Sequence, residues 1–525
     1  TISFSPSQQI NEGNSLSVRF FYKLNYPSLI ADKYVPAALD EVKKYKVSIH
    51  VGQVDCLPIP TSCQPGVKTP KYPPNVFTSN TQTVASVWNV TKNPNLPFAT
   101  IKEAVESPLT VDNDLIQVCP GWYVEKVIID KSITVFSTDG AKSTIVEAAK
   151  IDDASKRDNI FTLKKSGTVI SGFSIINGGK GVILNNGLVK VNKCELKNNI
   201  FTGNFNSSIE VENGDYNNIH DNTAENPVYI IDGNNNTIEK NTIGIFDDKG
   251  KNQIGITIWN SSQKNIIKNN VIGGNLGAGI SLSGVNVKQT EIKSNKIGTN
   301  ADGTKAKPNK HGIYLRDCGQ AYIEDNLISG NIESGILLSN YSSANNIKNN
   351  IIGSNLLKTD KLPNQTGIKL EYENEGNLIE GNLISGNLIS GIDLVWLCIN
   401  NQIINNMIGS SEEENTNLVN GIGVNIRRDS RNNLIENNVF ACNVTSLLII
   451  GDGADSNKVL NNKFGTNKAG TKILPSISGI ALFGGKNNFV SNNLISGHSV
   501  GGIAILGDDT RSNTISANKI GVDIT

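Results

Sequence analysis

The chain has 525 residues, with 48 basic and 48 acidic side chains and a formal net charge of zero. That balance gives no electrostatic reason to expect nucleic acid or an anionic membrane surface as partner. No apolar run approaches the roughly 18 residues that span a bilayer. The chain opens on Thr1 and its one methionine is Met407, which reads as a processed or partial chain.

Residues 1–70 read as a small N-terminal α+β or β-rich domain, or an assembly arm. "NSLSVRFFYKL" (14–24) and "KYKVSIHV" (44–51) have strand patterning, and "PAALDEVKKY" (36–45) that of a short helix. Cys56 and Cys63 flank the loop "CLPIPTSC" and are expected to form a local disulfide. Residues 71–95 read as a Pro-rich linker. The other cysteines, Cys119, Cys194, Cys318, Cys398 and Cys442, are too scattered for a disulfide framework and lack zinc-site spacing. Most are read as buried thiols. Neither a metal nor a cofactor is expected.

The composition changes near residue 150. Of 73 asparagines, 9 fall in residues 1–150 and 64 in 151–525. Residues 96–150 carry an amphipathic helix, "PFATIKEAV" (97–105), suited to capping the first coil of a solenoid. Beyond it the chain repeats N-x-I-x-x-N-x-I followed by Gly or Ser, as in "NIIKNNVIG", "NLIEGNLIS" and "NTISANKIG". The second Asn falls at 241, 270, 295, 326, 350, 382, 406, 438, 462, 493 and 518, and after the first interval short and long units alternate. Each unit adds an apolar pair after Gly, for example Gly391-Ile392-x-Leu394. Period-2 pairs broken by Gly and Asn predict short strands joined by sharp bends, stacked as the coils of a β-solenoid about 4.8 Å apart. Asn suits the bends because it tolerates the left-handed conformation, and its amide can pair with its copy one coil away. Long units insert polar loops such as "IGTNADGTKAKPNKHGI" and "IGSNLLKTDKLPNQTGI", predicting a row of loops at every second coil. The residue after the first Ile alternates in sign from Lys293 through Glu324 and Lys348 to Glu380, which predicts opposite charges facing across coil steps.

Residues 96–137, with Pro120-Gly121-Trp122-Tyr123 and the V-x-I and I-T-V strands after it, resemble the opening of right-handed parallel β-helix proteins of the pectate-lyase-like superfold. The N-x-I-x-x-N-x-I units with "IGT…GT" insertions resemble repeats of large secreted and surface proteins of that fold. The resemblance implies an all-β right-handed parallel β-helix over 96–525. It leaves function open, since the superfold hosts lyases, hydrolases, esterases, adhesins and spikes.

The residues favour a non-enzyme. Galacturonan hydrolases of the superfold carry N-T-D, D-D, G-H-G and R-I-K in order. Here Asp508-Asp509 is the one "GDD", His498 precedes it, and no R-I-K follows. His50, His220, His311 and His498 are dispersed. Arg427, Arg428 and Arg431 beside Asp429 read as a solvated turn. Trp88, Trp122, Trp259 and Trp396 form no column of their own, so the loop row is the better contact surface. Sequons occur at Asn89, Asn206, Asn235, Asn260, Asn340, Asn364 and Asn443. Asn340 and Asn364 are expected at the surface and Asn235 in the ladder. The chain stops within a unit, at "NTISANKIGVDIT", so either it is truncated or another subunit covers the open coil. The composite reading is a secreted, extracellular or cell-surface structural protein that assembles with copies of itself, head to tail, into a filament. The rivals are a polysaccharide lyase or hydrolase, and a carbohydrate-binding adhesin or spike that takes glycans.

Overall fold

The computed structural model describes residues 87–91, 97–244, 254–411 and 418–522. The expectations for residues 1–70, the Cys56–Cys63 pair and His50 lie outside them. So does most of 71–95, within which Val87–Asn89 forms a strand.

Each coil contributes one strand to each of three long sheets of 18, 16 and 15 strands. The coil from Leu378 shows the plan. Leu378–Glu380 lies in sheet I, Leu383–Ile384 in sheet II and Ser390–Val395 in sheet III. Successive coils pair in parallel with no register slip in their inward residues. Ile347, Ile379, Ile403 and Ile435 stack in sheet I. Ile352, Ile384, Ile408 and Phe440 stack in sheet II. Ile368, Ile392 and Val424, with Leu370, Leu394 and Ile426, stack in sheet III. All are fully buried in one continuous core. The Gly before each sheet III pair is there for space: a Cβ on Gly391 would lie 2.6 Å from the carbonyl oxygen of Gly423 in the next coil.

The Asn columns form three ladders. The longest runs unbroken through thirteen coils, Asn199, Asn222, Asn241 and on to Asn518. Each backbone N–H donates to the next Asn Oδ1, as in Asn222 to Asn241, Asn350 to Asn382 and Asn438 to Asn462, all at 2.9 Å. A second runs from Asn217 through Asn236 to Asn265 and, after Thr290 and Ala321, again from Asn345 to Asn513. A third, between sheets II and III, runs from Asn275 through Asn309, Asn331, Asn364, Asn387 and Asn420 to Asn443.

The bends differ from the sequence expectation in one respect. The left-handed residue of each bend is not the ladder Asn but the residue before it: Lys240, Ser294, Gly381 and Ala517 precede Asn241, Asn295, Asn382 and Asn518, all with φ between 53° and 66°. The ladder Asn is therefore required for its amide, not for left-handed tolerance.

The first coil is covered by a helix shorter and later than the pattern predicts, Ile101–Glu106. Pro97–Phe98 is a strand antiparallel to Val87–Trp88. Thr100 caps the helix: Glu103 N–H donates to Thr100 Oγ1, and Ala99 N–H donates back to Glu103 Oε2, both at 3.0 Å. The charge column behaves as predicted, with Lys268–Glu239 at 3.0 Å, Lys293–Glu324 at 3.4 Å and Lys348–Glu380 at 3.0 Å. Being partly exposed, each pair is worth under about 1 kcal/mol.

Candidate functional site

The outward face of sheet III gathers the titratable side chains that sequence spacing scattered. In its early coils, Lys180 Nζ lies 2.6 Å from Glu210 Oε1 and 3.4 Å from Glu212 Oε1. Ser207 Oγ donates to Glu210 Oε2 at 3.3 Å, and Asn185 Nδ2 donates to Glu212. Glu210 and Glu212 stand two apart on one strand, so both face outward. Burial raises the pKa of Glu210, and the neighbouring Glu212 adds to that; the same interaction lowers Glu212. Lys180 is the nearer to Glu210 but does not outweigh its burial. Tyr229, one coil on and beside Glu210, is raised by burial and then by the Glu210 charge.

Further along the same face, Arg427 grips Asp393 with both ends of its fork, Nε to Oδ1 at 3.2 Å and Nη2 to Oδ2 at 2.8 Å. Asn425 Nδ2 donates to the same Oδ1 at 3.0 Å. Arg427 is therefore half-buried and paired rather than part of a solvated turn. Arg428, Asp429 and Arg431 are exposed, as a solvated turn requires.

At the bend after sheet III a mixed column appears. Tyr372 and Trp396 stack with centroids 4.7 Å apart and planes 13° apart, and Arg428 lies 4.7 Å over the Trp396 ring. A search for repeated Trp misses it because the column changes residue type. Its signal in the sequence is spacing: 372, 396 and 428 follow the short–long rhythm of the units. Three of the insertion loops are ordered turns. Asn300, Asn355 and Asn467 each accept backbone N–H bonds on Oδ1 within their own loop, and Leu356 N–H donates to Gly303 O of the preceding loop at 3.0 Å.

His498 is half-buried, with Nδ1 3.2 Å from Ser476 O, and burial keeps its pKa low. His311 is likewise lowered by burial, although Glu333 is 3.4 Å away. Asp508 and Asp509 are exposed. Cys194, Cys318, Cys398 and Cys442 are buried free thiols; burial pushes Cys194 and Cys398 up to about 11 and Cys318 to about 12. Cys119 is instead disulfide-bonded. Among the described residues no three His, Cys, Asp or Glu side chains converge as a metal site, and no helix is long and apolar enough to cross a membrane.

The sequons divide by burial. Asn206 and Asn260 are exposed and Asn340 is half-exposed. Asn89 is buried, donating to Thr110 and Asp114. Asn364, expected at the surface because it sits in an insertion, is fully buried. The insertion closes on the third ladder, and Asn364 is one of its rungs. Asn443 is a rung too. Asn235 is half-exposed, and its neighbour Asn236 takes the ladder place.

The sequence family described as "Right handed beta helix region" matches residues 158–306 and 302–413. The chain is a right-handed parallel β-helix. This β-helix is 32% identical over 122 residues to the cell surface glycoprotein of Methanothermus fervidus. That stretch is 23% of this chain and 18% of the relative, so the chain spans less than a fifth of that protein's length. Among solved structures it is similar to DFA-IIIase from Arthrobacter chlorophenolicus (TM-score 0.40, 13% identity, 64% of this chain and 87% of that one). It is also similar to the periplasmic alginate epimerase AlgG (0.38, 13%, 78% and 85%) and to the Dettilon tailspike protein (0.37, 14%, 76% and 63%). Such identities carry no functional residue across.

Proposed function

We propose that this protein is a structural component of a cell surface, a rigid β-helical scaffold displayed outside the cell. The observation that carries the reading is the stretch of 32% identity to a cell surface glycoprotein. The unbroken thirteen-rung ladder supports it, because each coil is bonded to the next through buried amides that tolerate no slip. Exposed sequons at Asn206 and Asn260 fit a glycosylated surface protein. Fractionation of the producing cells tests it: the protein is expected in the envelope extract, and recovery from the cytosol alone contradicts it.

The finer form of the proposal is head-to-tail assembly into a filament. In such an assembly the N-terminal region of one copy would meet the last coil of the next, prolonging the parallel stacking that joins successive coils. Negative-stain microscopy at high concentration should show end-joined particles, and single particles throughout would contradict it.

A second reading, a polysaccharide-acting enzyme, is favoured by one observation, the gathering of Glu210, Glu212, Lys180 and Tyr229 on one face of sheet III. An assay for new reducing or unsaturated chain ends on acidic polysaccharides, lost in Glu210→Gln, would support it; no activity on any of them would contradict it.

A further inference from the structure

At the corner between sheets II and III, five aliphatic residues stand in the solvent. Leu276, Ile332, Leu388, Val444 and Val500 are 44–76% exposed. Each lies 56 residues after the one before, so the row recurs at every second coil. Backbone bonds place them on the same corner: Ile332, Leu388 and Val444 N–H donate to the carbonyls of Asn309, Asn364 and Asn420, and Val500 N–H to that of Ile477.

Folding does not require these side chains. In the first four, the residue just before is the ladder Asn that holds the corner, and none of the five belongs to the core. In intervening coils the same corner carries Lys310, Gln365, Gly421 and Ile477, so an aliphatic residue is not needed there to hold the bend. Scattered exposed apolar residues need no explanation, but a straight row at fixed spacing does.

We infer that this corner is a side-to-side interface between two copies of the chain. The period decides the occupant. With strands about 4.8 Å apart, the five positions are about 9.6 Å apart and span about 38 Å. A body that meets all five must keep the same period over that length, and a second copy of this solenoid does. A glycan is the poorer fit, since aliphatic side chains give a sugar neither a ring face nor a hydrogen bond. A two-fold axis at Leu388 sets it against the partner's Leu388 and sets Ile332 against the partner's Val444. Over about 38 Å, a strip about 20 Å wide reaches the roughly 800 Å² per partner that a stable interface needs. Beside the row, Leu357 and Ile473 are also exposed. At the corner itself Lys310 lies 3.6 Å from Glu333.

The test uses the full chain with Leu388→Cys under mild oxidation, with Leu188→Cys, exposed but off this corner, as control. Leu388→Cys is expected to give a covalent dimer and Leu188→Cys none. In sedimentation velocity of protein free of cross-links, Ile332→Asp/Leu388→Asp/Val444→Asp should halve the sedimenting mass with an unchanged far-ultraviolet spectrum. Absence of the Leu388→Cys dimer at micromolar concentration overturns the inference, as does a sedimenting mass unmoved by the triple variant in a protein that forms no end-joined particles. Head-to-tail joining leaves Leu388 far from its copy, so the filament proposal and this one fail separately.

Discussion

Asn382 and Asn406 are joined twice. The backbone N–H and the side-chain Nδ2 of Asn382 both donate to Asn406 Oδ1, at 2.9 and 3.0 Å, while Nδ2 also reaches Ile347 O at 2.8 Å. On its other side Asn382 Oδ1 accepts from Asn350 at 2.9 Å. One amide therefore satisfies two backbone groups of the preceding coil and bonds the Asn406 side chain of the next. Asn382→Ala leaves the Asn350 N–H and the Ile347 carbonyl buried without these partners. At about 1–3 kcal/mol each, the loss is about 2–6 kcal/mol. Thermal unfolding should fall, and hydrogen exchange should rise first in the coils of Asn350 and Asn382.

Phe440 and Phe464 are stacked in the core, centroids 4.5 Å apart and planes 9° apart. Phe464→Ala should cost about 3–5 kcal/mol. The same column holds Ile408 and Ile495, so Phe440→Ile/Phe464→Ile should cost less than the two single Ile changes together. A double-mutant cycle in denaturant should give a coupling of about 0.5–1.5 kcal/mol.

The bend at Trp396–Leu397 puts two bulky residues in succession at φ 61°. The stack on Tyr372 and Arg428 accounts for Trp396, but Leu397 is exposed and has no such role. Leu397→Gly removes left-handed strain of about 1–2 kcal/mol and adds the chain entropy of Gly, about 0.5–1 kcal/mol. A small rise in Tm is expected.

His220 lies between Glu195 at 2.9 Å and Asp221 at 2.7 Å. Burial opposes its charge, but the two carboxylates outweigh it and raise its pKa. A raised histidine stabilises the fold fully below its unfolded value of about 6.5 and loses that contribution as pH rises through the folded value. The Tm gap between wild type and His220→Asn should be widest below about pH 6.5 and should narrow as the pH rises above it.

Burial also predicts glycan occupancy. Peptide mass spectrometry of protein from a glycosylating host should find glycans at Asn206, Asn260 and Asn340. Asn89, Asn364 and Asn443 should be bare, because a rung whose amide is bonded on both sides cannot accept a sugar without breaking the ladder.

The coil architecture was legible because it repeats. Ile379 has copies at Ile347 and Ile403, and a repeated column reveals its facing. Groups that occur once or change identity from coil to coil escaped. Lys180 and Glu210 meet across one coil step although 30 residues apart, with no later copy to mark them. Tyr372, Trp396 and Arg428 share a column but not a residue type. Asn364 looks like loop because the polar insertion around it hides the third ladder. Lys240 and Ser294 hold the left-handed bends without any propensity for them, because the rungs that come next, Asn241 and Asn295, fix the geometry.

Display at the cell surface is tested most directly by labelling intact producing cells with a membrane-impermeant amine reagent and mapping the modified lysines. The account predicts label on exposed residues such as Lys305 and Lys468 before the cells are broken. Label that appears only after lysis would contradict it.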